Sequence, residues 1–434
     1  MATNIGWIEP VFAEEDVAEA RVRPDRDGYV RKVANVRSKK RVCLAELEAP
    51  DVTAADEAAT PKTKALLRYL GAIAHTHRIL YGHQNDMHRK VGKKLKTDSD
   101  TYDITGDYPA VVGVDGLALT GYELDLTECE RASGLTLAEK LARVAVKADR
   151  AGAIVTLSCH MPNFAEAAKR ERHRDGRYDY SGYSPDHTDG NVVHRILPGG
   201  DLNEVFTGYL DLVTAFDRHL QQADVPLIFR PFHENTGSWF WWGAGHCTPD
   251  EFRRLFQYTE AYLQRKGLHN MLYAYSPGGG ETRSEDDYSR TYPGDRFVDL
   301  TGFDMYHRDP RRGDGFLEKE FKDVLSIVEQ FARAHHKVAA VTETGMLVGK
   351  SAMAKRHNGY DAWFLDAMDV MRTHEMAYFL TWSNFDETNF DQPYMVDATR
   401  GHEMINAFID FYNHPASIFA GQNADYAAWE RRDA

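Results

Sequence analysis

Apolar positions along the chain follow two alternating patterns. Short, nearly continuous apolar runs recur, and between them stand longer stretches whose apolar residues lie three and four apart. The runs are RILYGHQ from Arg78, PAVVGVD from Pro109, AIVTLSCH from Ala153, VPLIFRPF from Val225, MLYAYS from Met271, FVDLTGFDMY from Phe297, VAAVTET from Val338 and AYFLTWSN from Ala377. Such runs suit strands buried on both faces. The stretches LAEKLARVAVKADR and EFRRLFQYTEAYLQRKG carry the helical period. Strict alternation of strand with helix predicts a parallel sheet.

An open doubly wound sheet alternates in the same way, so the polar residues have to decide between it and a barrel. Gln84, Asp115, His160, Glu234, Ser276, Tyr306, Glu343 and Trp382 stand at or just past the carboxyl ends of the eight runs. An open sheet gathers its site residues at one switch point, whereas a barrel draws them from every strand end. The chain is therefore expected to be an α/β protein, a (β/α)8 TIM barrel. Its 434 residues hold the typical barrel of about 250 with insertions. Residues 61–434 are read as the barrel domain and residues 1–60 as an extension wrapping it. The long connection from Pro162 to Asp201, with Tyr178, Tyr180 and Tyr183, is expected to wall the cleft.

The most informative chemistry lies in RPFHENTGSWFWWG, Arg230 to Gly243. It sets Glu234 at the end of an apolar strand, beside His233 and ahead of Trp239, Phe240, Trp241 and Trp242. Tryptophans are more often core than platform. Placed between Gly237 and Gly243, however, these rings read as a loop, and loops run over the surface. A second acid, Glu343, ends the run KVAAVTETG. Two carboxyls at the carboxyl ends of separate strands are what breaking a glycosidic bond requires: one protonates the leaving oxygen and the other attacks or activates water.

These segments resemble the family-26 glycoside hydrolases, whose best-known members are endo-acting β-mannanases of the clan of retaining (β/α)8-barrel enzymes. RPFHENTGSWFWWG is similar to the family's acid/base strand and VTETG to its nucleophile strand. YGHQND, SCHMPN, GFDMYH and TWSN resemble its other active-site segments, so the likeness spans roughly residues 62 to 412. The resemblance implies Glu234 as general acid/base and Glu343 as nucleophile, with His160, His233, Trp239, Tyr306 and Trp382 lining the sugar subsites. In one departure, Ser383 follows Trp382 where some mannanases of the family carry an arginine, so that contact is not implied here.

A formal net charge of −14 disfavours nucleic acid as a partner. Cys159 beside His160 and His246 beside Cys247 lack any CxxC or HExxH spacing, so neither a metal nor another cofactor is expected. Gly278 to Gly280 has no Walker lysine after it and reads as a tight turn. Cysteine count alone suits either two bridges or four thiols, and free thiols are favoured. No run is long enough to span a bilayer, and no basic region precedes an apolar core at the start. A cytoplasmic enzyme trimming imported oligosaccharides is the expectation, and a secreted enzyme whose signal peptide has been removed is the alternative.

The activity expected is retaining endo-β-1,4-mannanase action on mannan, glucomannan, galactomannan or their oligosaccharides. Family-26 action on mixed-linkage β-glucan or β-1,3-xylan is the alternative, and a non-catalytic carbohydrate-binding barrel stands behind both.

Overall fold

The computed structural model describes residues 36–91, 97–348, 351–352, 358–384, 394–397 and 403–429. Eight strands run parallel in chain order: β1 (Ile79–Gln84), β2 (Val111–Asp115), β3 (Ile154–Cys159), β4 (Leu227–Pro231), β5 (Met271–Tyr275), β6 (Leu300–Arg308), β7 (Val338–Val348) and β8 (Met376–Thr381). β8 pairs with β7 and also with β1, where Leu80 stands opposite Tyr378 and His83 opposite Thr381. That last pairing closes the (β/α)8 barrel the alternation predicts.

Local sequence explains the helices between the strands. Leu137–Arg150 buries Ala138, Leu141, Ala142, Ala145 and Ala148, one stripe at helical spacing, and Thr136 caps its first turn by accepting from the Glu139 amide. Pro249–Arg265 begins with proline in its first turn and a capping box between Thr248 and Glu251. Along the strands, alternate side chains divide between two cores. Leu80, Val111, Ile154, Ile228, Leu272 and Leu300 fill the interior with Leu66, Leu70 and Ile73 of helix Pro61–His75, while Tyr81, Val112, Val155, Phe229 and Tyr273 face the outer helices.

Two strand boundaries differ from the reading of the sequence. β6 starts at Leu300, because Asp295–Phe297 forms a 3-10 turn. β7 runs on to Val348, and its ladder with β6 continues past the register Asp304 opposite Glu343 as far as Arg308 opposite Leu347. Tyr306 and Glu343 thus stand inside paired strands that rise above the barrel rim, a more rigid mounting than strand ends would give.

Residues 1–35 of the expected wrapping extension lie outside the described residues. The segment that follows touches the barrel's amino-terminal end. Lys39 donates to the Tyr412 and His414 carbonyls, the Ala55 amide donates to Asp299 at 2.7 Å, and Asp56 pairs with His269 at 2.7 Å. The four cysteines are free thiols, with Cys159 buried at the end of β3.

Candidate active site

The carboxyl-terminal mouth of the barrel gathers every residue proposed from sequence, and arranges them around two acids held in opposite ways. Glu343 is 4 % exposed and takes charge-assisted donors on both oxygens. Arg230 Nη2 donates to Oε2 at 2.6 Å, and the Tyr306 hydroxyl donates to Oε1. Burial and the Glu343 charge push the Tyr306 hydroxyl well above its ordinary range, so it remains a donor. Arg230, fully buried on β4, also donates through Nη1 to Asp304 Oδ2 at 2.6 Å. Asp304 in turn accepts from Ser276 and Thr342, each at 2.8 Å. Burial lifts Asp304 to about 7 against the pull of Arg230, with Glu343 adding to the rise.

Glu234 lies three residues beyond the end of β4 and receives no such cation. Among the described residues its carboxyl accepts one hydrogen bond, from Trp239 Nε1 to Oε2 at 2.7 Å. Burial, then the charges of Glu343 and Asp304, push it well above the usual carboxylate range, and the Trp239 bond and Arg230 oppose this only in part. Phe232 and Glu234 both adopt left-handed backbone, each at φ 53°, a conformation rare for residues with a side chain. The Glu234 amide is anchored on the Ser276 carbonyl at 2.8 Å. The residue is therefore aimed by a strained turn that β5 holds in place.

His160 and His233 form a hydrogen-bonded pair beside these acids. Their Nε2 atoms lie 3.2 Å apart, so one must donate to the other. Burial alone would lower His160, but the Asp115 carboxylate, bonded to its Nδ1 at 2.8 Å, outweighs that and raises it. His233 is held well below its usual value by burial, then by the charges of Arg230 and His160. Gln84, Asp115 and Ser276, singled out at strand ends, stand in this supporting layer; Gln84 donates to Ser158 at 3.1 Å.

The aromatic bank after Glu234 does not behave as its loop position suggested. Trp239 is 43 % exposed, whereas Phe240, Trp241 and Trp242 are buried. Trp241 donates to the Met161 carbonyl at 3.1 Å and Trp242 to that of His233 at 2.8 Å. Indoles whose N–H groups are satisfied can be taken into the core, so these two fasten the loop and leave Trp239 at the surface. Gly237 permits the fold-back, since a Cβ there would lie 2.2 Å from the Trp239 ring. Trp382 follows β8 directly, its ring centroid 5.3 Å from that of His160.

From Glu234 and Trp239 a cleft of about 670 Å³ runs past Gly278, Gly280, Tyr306 and Phe316. Arg230, Asp304, Thr342 and Tyr394 were not singled out from sequence. Arg230 and Asp304 did carry a signal, being charges set within apolar runs. Tyr394, whose ring lies 5.6 Å from that of Tyr306, carried none. Among the described residues no group of three His, Cys, Asp or Glu side chains is arranged to hold a metal.

A closed parallel barrel with two carboxyls at the mouth, one bonded to a cation and one raised by burial above the usual carboxylate range, has the architecture of the barrel glycoside hydrolases. More narrowly, the chain belongs to glycosyl hydrolase family 26, whose model matches residues 55–400. It is 32 % identical over 389 residues to a mannan endo-1,4-β-mannosidase of Bifidobacterium adolescentis, a match covering 87 % of this chain and 36 % of that protein. A mannan endo-1,4-β-mannosidase of Bacillus subtilis is 32 % identical over 171 residues, 38 % of this chain and 41 % of its own length. The chain thus spans well under half the length of these curated relatives. Among solved structures, a modular endo-β-1,4-mannanase from Cellulomonas fimi superposes with a TM-score of 0.74 at 32 % identity, covering 87 % of this chain and 79 % of that one. The catalytic domain of a Bacillus sp. JAMB-750 endo-β-1,4-mannanase gives 0.75 at 30 % identity, over 87 % and 96 %.

Proposed function

We propose that the chain is a retaining endo-β-1,4-mannanase acting on mannan, glucomannan, galactomannan or their oligosaccharides, with residues 61–434 as its catalytic barrel. The observation that carries this reading is the unequal treatment of the two acids. Glu343, bonded to the Arg230 guanidinium and the Tyr306 hydroxyl, attacks the anomeric carbon. Glu234, raised by burial and by the facing charge, protonates the departing oxygen. A covalent glycosyl-Glu343 forms with inversion. Water entering after the aglycone leaves gives its proton to Glu234 and displaces the sugar with a second inversion, so the β configuration is retained. Trp239 offers an apolar face for the C–H side of a pyranose next to the cut. The names of the relatives above support mannan as the polymer.

Release of reducing ends from a panel of β-mannan, mixed-linkage β-glucan and β-1,3-xylan tests the substrate, and proton NMR of the first-formed anomer tests retention. Mannan should be cut, with β product appearing first. Activity confined to β-glucan or xylan would move the substrate, α product would overturn the mechanism, and no release from any of them would leave a binding barrel.

A further inference from the structure

Among the described residues three large apolar side chains are exposed: Trp239 at 43 %, Tyr183 at 39 % and Tyr122 at 47 %. All three stand on loops beyond strand ends, at the catalytic mouth. Trp239 belongs to the cleft already described. Tyr122 and Tyr183 come from different loops, after β2 and β3, yet their ring centroids lie 5.6 Å apart with planes tilted by 39°. Tyr183 continues inward to His160 at 6.3 Å and a tilt of 32°, and His160 to Trp382 at 5.3 Å. A chain of contacting rings therefore leads from Trp382 and His160 to the loops after β2 and β3. The large cleft opens on the other side, along β5 and β6.

The backbone beneath these tyrosines is fastened, and their side chains stay partly exposed. Next to Tyr183, the buried Ser184 hydroxyl accepts from the Asn163 amide at 3.0 Å, and the Pro185 carbonyl accepts from the Trp241 amide at 3.0 Å. Asn163 Nδ2 ties down the His187 and Asp189 carbonyls at 2.6 and 3.0 Å. Next to Tyr122, the Glu123 carboxyl accepts from Asn85 at 2.8 Å, and the Tyr122 amide donates to the Leu117 carbonyl at 3.2 Å. The other tyrosines of the long loop are otherwise engaged: Tyr180 is buried with its hydroxyl on the Val205 carbonyl at 2.7 Å, and Tyr178 packs under Arg172. Rings held out on a rigid base, at little further entropic cost to a ligand, are preorganised for contact.

We propose that Tyr183 and Tyr122 form a platform for hexopyranose units of the substrate chain beyond those at the cleavage point, on the side away from the β5–β6 cleft. This rests on reading the chain as a β-glycan hydrolase. A sugar ring presents an apolar C–H face over an aromatic ring while its hydroxyls stay in water, which suits a half-exposed tyrosine. A protein partner fits less well, because stable interfaces bury about 1,200–2,000 Å² and two half-exposed rings are a small fraction of that.

The test is the dependence of kcat/KM on chain length, measured for wild type, Tyr183→Ala, Tyr122→Ala and Tyr183→Phe on β-1,4-manno-oligosaccharides from the disaccharide upward. The Ala variants should leave the shortest cleaved substrate within about twofold and reduce the advantage of longer ones by about tenfold, while Tyr183→Phe keeps that advantage. Unchanged length dependence in both Ala variants would overturn the platform. So would an equal loss in Tyr183→Phe, which would put the effect in the hydroxyl. Wild type idle on every manno-oligosaccharide would instead sink the mannanase reading. Calorimetric binding of the uncut series would then make the same comparison, and equal affinities across the variants would sink the platform too.

Discussion

Trp239 donates its indole N–H to Glu234 Oε2 at 2.7 Å, so the side chain that offers an exposed ring to the cleft also touches the carboxyl proposed as the acid. That bond lowers Glu234 against burial and the neighbouring charges, which raise it. Trp239→Phe keeps a ring and removes the donor. Glu234 should then hold its proton to higher pH, moving the alkaline limb of kcat/KM upward by roughly 0.5–1 unit, the equivalent of one ordinary hydrogen bond. A pH profile checks this, and a fixed alkaline limb would separate the indole from the acid.

Arg230 pairs with two buried carboxyls, Asp304 and Glu343. Arg230→Met leaves both without a counterion, which should cost about 3–5 kcal/mol of unfolding free energy at neutral pH. Asp304, raised to about 7 by burial even with Arg230 present, should take up a proton first. The deficit should therefore shrink as pH falls. Urea unfolding at several pH values measures it, and a deficit independent of pH would point to lost packing rather than charge.

Glu234 also bears on stability, with a sign that can be worked out. Its native value lies well above the unfolded value of about 4.3, so the folded chain keeps a proton that the unfolded chain releases. Stability must then fall as pH rises from the unfolded value toward the native one. Glu234→Gln removes that slope and should be more stable than wild type at pH 7, on the order of 1 kcal/mol or more, with the difference vanishing below about pH 4. Thermal melts across this range would show it, and a variant less stable at pH 7 would contradict the raised value.

The two acids are separable by the products their loss permits. Glu234→Ala should accumulate a glycosyl-enzyme from an activated β-mannoside whose leaving group needs no proton, and azide should release it as the β-azide. Peptide mapping by mass spectrometry should find the sugar on Glu343. A label elsewhere, or no azide product, would reverse or dissolve the assignment of roles.

Much of this was legible because barrel strands are buried on both faces and so write themselves as apolar runs that few other elements imitate. Closure was legible from polar residues at every run's end. The interior of the site was less so. A loop holding Trp239, Phe240, Trp241 and Trp242 looks like four exposed rings, and only the carbonyls of Met161 and His233, brought in from elsewhere in the fold, decide which indoles turn inward. Arg230 and Asp304 were visible as charges in apolar runs, but their partnership spans β4 and β6 and no spacing encodes it. Tyr394 reaches Tyr306 from a segment with no strand or helix pattern of its own.

Successive side chains of a regular strand point to opposite faces, yet His233 and Glu234 are neighbours in sequence and both serve the mouth of the barrel. The left-handed turns at Phe232 and Glu234 make this possible by rotating the chain on each side of His233. The acid is thus placed by torsion and not by register. An engineer moving this chemistry to another barrel would have to transplant Phe232 to Asn235 as one unit, together with the Ser276 carbonyl just past β5 that pins it. A glutamate installed at the matching strand position of a regular barrel would face the wrong way.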